Sequence, residues 1–78
     1  MEVTRLVGLV NATDDPDPRV ALAAAAEAAR ELERRQTVLV RRARAQGVMW
    51  TEIAVFLGVS KQAVHKKYGG RRLFRVEE

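Results

Sequence analysis

Lys61, Gln62, His65 and Lys66 fall at i, i+1, i+4 and i+5, which on an α-helix is one broad face. No carboxylate interrupts that face. Lysine ammonium groups neutralise phosphodiesters, a glutamine amide can pair bidentately with adenine, and Lys61 or Lys66 could address guanine. Ser60 stands directly ahead of the face. Its hydroxyl is first of all a helix cap, and beside the helix N-terminus it could also anchor a phosphate. Lys67, Arg71 and Arg72 add attraction that is independent of base sequence, and Arg41 and Arg44 could reach phosphates flanking the face. The chemistry these residues suit is non-covalent recognition of a polyanion.

Bond-making chemistry has little to stand on. The chain holds one histidine, His65, and no cysteine, so a catalytic triad or metal centre lacks its parts. The glycines are scattered rather than gathered into a phosphate-cradling loop. RNA binding is possible from charge alone, but aromatic stacking platforms are missing. We read no enzyme, no cofactor, no metal and no small-molecule ligand.

Two short helices must carry the face. The first has Thr51 as its expected N-cap, an apolar side of Ile53, Ala54 and Leu57, and Gly58 as the residue that leaves it. The second starts at Ser60 and runs to Tyr68, where Gly69 and Gly70 stop it. Ala54 is small where two steeply crossing axes approach, and Gly58 supplies the positive φ of a tight turn. Val59 and Val64 are expected to reach back to Ile53 and Leu57, forming an apolar wedge that leaves the polar face outside.

With Ile53, Ala54, Leu57, Gly58, Val59, Ser60 and Val64 at these spacings, the stretch resembles the helix-turn-helix of bacterial DNA-binding proteins. The likeness is to phage-type repressors, the DNA-binding domains of resolvases and invertases, and the promoter-reading end of sigma factors. The resemblance covers residues 51–69. It implies that the second helix enters the major groove of double-stranded DNA. Lys67 departs from the family pattern, which often has an apolar residue there; Tyr68 is expected to do that packing.

The charge distribution agrees with this. Residues 1–38 carry five arginines against seven acids, whereas residues 39–78 carry nine lysines or arginines against three. A basic half that contains the motif is the footprint of a nucleic-acid binder. Apolar residues make up 47% of the chain, but twelve are alanines and aromatic residues are only 5%, so a single domain of this length has a thin core. The absence of cysteine fits a reducing cytoplasm, and no apolar run or leader pattern points to a membrane or to export.

Ahead of the motif, Val3, Leu6, Val7 and Val10 share one helical face, predicting a helix over residues 2–11 with Leu9 off the stripe. The aspartates of residues 14–17 precede a helix, where capping is a better use for them than a cation. Asp17-Pro18 starts a long helix with no breaker before Gly47. Along it Leu22, Ala25, Ala29, Leu32, Gln36, Leu39 and Ala43 step by 3 and 4, a coiled-coil-like seam; Val20, Ala24, Ala28, Val38 and Val40 form a second set. Arg30, Glu31, Glu33, Arg34 and Arg35 read as solvated, with Glu31 and Arg35 a supportive pair. Residues 38–45 are expected to support the motif. The remaining apolar surface is covered either by a second copy of the chain or by a hairpin of the first two helices. Val48, Met49 and Trp50 form the link, and Trp50 reads as a core lid. The tail, residues 71–78, is either a basic arm for DNA or a docked segment.

The expected fold is therefore all-α: an N-terminal helix and one long helix (1–46, packing and dimerisation), a helix-turn-helix (47–70) and a basic tail (71–78). The expected function is sequence-specific binding of double-stranded DNA as a homodimeric transcriptional regulator, cytoplasmic and nucleoid-associated. The alternative is a helical protein-interaction module, antitoxin-like or an adaptor, in which the motif is only structural.

Overall fold

The computed structural model describes residues 1–69 and is all-α. In chain order the described residues form α1 (Val3–Asn11), a 3-10 turn (Ala12–Asp14), α2 (Pro18–Ala45), α3 (Trp50–Leu57) and α4 (Lys61–Tyr68). No helix among them is long and apolar enough to cross a membrane. Two compact units divide the chain, Met1–Gln36 and a second that begins at Thr37, so the last turns of α2 belong with α3 and α4.

In the first unit, local side chains set the start of α2. The Asp17 carboxylate accepts the Arg19 N–H at 3.0 Å, and the Asp17 carbonyl accepts the Ala21 N–H at 3.0 Å. Asp15 accepts the N–H of Asp17 at 2.8 Å. The N–H groups of Asp17 and Arg19 are donors a helix start leaves open, whereas the bond from Ala21 is the first regular turn of the helix; carboxylates also suit the positive end of its dipole. Pro18 takes the first helical position, where an N–H is not needed.

Burial in this unit departs from the sequence stripes. On α2 the covered positions are Ala24, Ala28 and Glu31, at i, i+4 and i+7. Leu22 is 72% exposed and Leu32 51%, and Ala25 and Ala29 lie open as well. On α1, Leu6 and Leu9 are half-buried, while Val3, Val7 and Val10 are exposed. Leu9 was expected off the covered side; it lies three residues after Leu6 and shares its face, leaving the valines outward.

Glu31 was expected in solvent and is 5% exposed instead. It lies on the covered side of α2, where cations surround it. Arg34 Nη2 approaches one carboxylate oxygen at 2.8 Å; the other meets Arg35 Nε at 3.2 Å and the Met1 ammonium at 3.5 Å. Arg35 also donates to the Met1 carbonyl. The hydrogen bond from Arg34, helped by the charges of Met1 and Arg34, holds the Glu31 carboxyl below its ordinary value of 4.5 despite burial, which acts the other way.

The unfolded chain takes up that proton near pH 4.5, and the folded chain only at lower pH. Glu31 therefore contributes its full stabilisation above that point and loses it as pH falls through the folded value. Replacing Glu31 by glutamine is expected to flatten the fall in thermal midpoint between about pH 5 and pH 3. Parallel curves for variant and wild type would remove Glu31 from the acid response.

The second unit closes on Val40, Ile53, Ala54 and Val64, with Ala43, Val48, Trp50, Leu57 and Tyr68 packed around them. Burial of each branched side chain contributes about 1.5–3 kcal/mol. The core is small and, among the described residues, contains no buried aromatic residue. Val40 comes from α2, as expected of its last turns. Tyr68 packs at the end of α4, the role assigned to it in place of Lys67.

Candidate nucleic-acid interface

Two glycines set the bends that bring α2, α3 and α4 of this unit together. After α2, Gly47 has φ 88°; its N–H donates to Arg44 at 3.0 Å, and the Val48 N–H donates to Ala43 at 2.9 Å. After α3, Gly58 has φ 71°, with its N–H on Val55 at 3.2 Å and the Val59 N–H on Ala54 at 3.1 Å. Each is the paired closing motif in which a left-handed residue satisfies the last helical carbonyls. A residue with a Cβ would hold such a conformation at a cost of about 1–2 kcal/mol.

The start of α3 differs from expectation. Met49, not Thr51, is the N-cap: its backbone is extended at ψ 152°, and Trp50 is already helical rather than part of the link. Glu52 accounts for the shift, because its carboxylate accepts the Met49 N–H at 3.4 Å from the third helical position. Thr51 then lies inside the first turn, exposed.

Ser60 caps α4 as expected, its hydroxyl accepting the Ala63 N–H at 3.1 Å. Val64 is the inward side chain of α4, 1% exposed. Val59, expected to join it, is about half exposed because the turn carries it past the core. With Val64 inward, Lys61, Gln62, His65 and Lys66 are all exposed and line one open depression on the surface. Ser60 and Lys67 are exposed on or next to the same helix, and the Lys67 ammonium lies 5.4 Å from the centre of the Tyr68 ring. Arg41 and Arg44 are exposed on α2. Arg71 and Arg72 lie outside the described residues, as does the rest of the tail.

Between Thr37 and Gly69 there are six lysines or arginines and one acid, Glu52, whose carboxylate is turned to the Met49 backbone. The field over the exposed face of α4 is therefore positive. Among the described residues no group of histidine, cysteine, aspartate or glutamate could hold a metal ion.

One arrangement was not visible in the sequence. Trp50 packs on the core as a lid, and its ring also meets His65, with centroids 5.6 Å apart and planes at 84°. The Arg44 guanidinium lies over the same ring at 4.8 Å, and Arg44 Nη1 donates to the Val48 carbonyl at 3.0 Å. The three residues share no helical periodicity, so only the Gly47 turn and the α3–α4 bend could bring them together. Val55 and Phe56, on the side of α3 away from the core, are 73% and 81% exposed.

No family model, curated protein or solved structure matches this chain.

Proposed function

We propose that the protein binds double-stranded DNA sequence-specifically through α4 and acts as a homodimeric transcriptional regulator. One observation carries this reading: after the left-handed turn at Gly58, α4 buries Val64 and leaves Lys61, Gln62, His65 and Lys66 together on an exposed, acid-free face. A helix presented in this way suits the width of the major groove. Gln62 reads a base, most naturally adenine, while Lys61 or Lys66 addresses guanine or phosphate. The capped N-terminus at Ser60 faces the backbone, and Lys67 and Arg41 add attraction without sequence preference. Work on the nucleoid follows from this role.

The uncovered apolar positions of the first unit, Leu22 and Leu32 on α2 with Val3, Val7 and Val10 on α1, support pairing with a second copy. A two-fold dimer would read two half-sites about one helical turn, or a multiple of it, apart.

The test of the reader is a binding-site selection with wild type and Gln62→Ala. The variant is expected to lose discrimination at a single base pair by about 1–3 kcal/mol while keeping the rest of the site. An unchanged preferred site would show that Gln62 is not the reader. A second reading, a helical protein-interaction module, draws on the adjacent exposed Val55 and Phe56. Salt separates the two. A DNA binder loses affinity for random duplex steeply between about 50 and 200 mM salt, whereas an adaptor has little affinity at any salt.

A further inference from the structure

Arg44 is exposed, yet its side chain is held on two sides. Nη1 donates to the Val48 carbonyl at 3.0 Å, and the guanidinium carbon lies 4.8 Å from the centre of the Trp50 ring. Trp50 is half-buried against the core and acts as a fixed plate. The same ring seats His65, perpendicular to it at 5.6 Å, and His65 in turn borders the depression lined by Lys61, Gln62 and Lys66. One aromatic residue thus couples a cation at the end of α2 to the exposed face of α4.

We propose that Arg44 grips a DNA phosphodiester beside the α4 face and that Trp50 is the positioning residue that holds it ready. The inference rests on the DNA-binding reading above and assigns the contact that fixes where α4 sits along the duplex. A guanidinium has five N–H donors in a planar fork, so donors remain for a bidentate grip on an oxyanion after the bond to Val48. An arginine already stacked and tied to a carbonyl has less rotamer freedom left to lose on binding. Lysine cannot reproduce this arrangement, because its ammonium is a point charge with neither a stacking plane nor a fork.

The experiment measures the affinity of a labelled random-sequence duplex for the full chain across about 50–200 mM salt. Arg44→Ala is expected to lower the slope of log K against log salt by about one. Arg44→Lys keeps the charge and is expected to show more than half of the alanine variant's loss in log Kd, with an unchanged thermal midpoint. Trp50→Leu, with Arg44 intact, is expected to weaken binding as Arg44→Ala does, and the double variant to be no weaker than either single one. Because Trp50 also packs on the core, Arg44→Lys carries the test where Trp50→Leu does not fold. Wild-type binding by Arg44→Lys would overturn the positioning role, and an unchanged salt slope in Arg44→Ala would overturn the phosphate contact. In either case the DNA reading stands, provided the wild type binds. A wild type that binds no duplex at about 50 mM salt removes that reading and this inference with it.

Discussion

Val64→Asp is expected to unfold the C-terminal unit and to abolish any binding by α4. Val64 is the one fully buried large side chain among the described residues, 1% exposed, and it touches a core whose other buried members are only Val40, Ile53 and Ala54. Losing the valine removes about 1.5–3 kcal/mol of apolar burial. Placing a carboxylate there costs several kcal/mol more, or forces it to protonate, because the surrounding side chains are apolar. A small single core supplies no more than about 3–5 kcal/mol of net stability, so the sum exceeds what the unit holds. Val64→Ala is the graded control. It should cost about 2 kcal/mol, lower the midpoint and leave the fold in place at low temperature. Circular dichroism at 222 nm with a thermal scan checks both variants (the wavelength is about that of the α-helical minimum). A cooperative, wild-type-like melt for Val64→Asp would mean that α4 is not held by this residue.

Lys61→Ala combined with Lys66→Ala should weaken DNA binding more than any other pair of surface changes on α4. Both side chains are exposed, so the fold is unaffected to within about 0.5 kcal/mol. Each phosphate contact contributes about 0.9 to the slope of log K against log salt on B-form DNA. Two lost contacts lower that slope by about 1.8, and at about 0.1 M salt this is close to two orders of magnitude in Kd. The same pair in an adaptor protein would change nothing in a DNA assay and little in partner capture through Val55 and Phe56. If the double variant bound random duplex like the wild type, α4 would not be the contact surface, and the regulator reading would fail.

The parts of the fold that were legible in the sequence are those set by local chemistry. Asp17-Pro18, Gly47, Gly58 and Ser60 mark helix ends through caps, a fixed φ or a left-handed residue, and all four stand where expected. The inward turn of Val64 and the exposure of Lys61, Gln62, His65 and Lys66 follow from the same local rules. Most of what failed depended on partners distant in sequence, and one failure, at Thr51, on a local competitor. α2 carries alanine on several sides, so the line through Leu22, Ala25, Ala29 and Leu32 and the line through Ala24 and Ala28 are equally plausible as strings; the structure covers the second. Glu31 looked solvated because its pairing with the Met1 ammonium spans nearly half the described chain. Thr51 looked like a cap because threonine so often is one, yet Glu52 can reach back to Met49, and the helix starts two residues sooner.

The chain contains a single tryptophan, and it lies under Arg44 and beside His65. Its intrinsic fluorescence is therefore a label-free report from one spot, where Trp50 of α3 meets Arg44 of α2 and His65 of α4. Any ligand that engages the guanidinium or shifts the imidazole changes the surroundings of that fluorophore, and its spectrum follows occupancy with no dye attached.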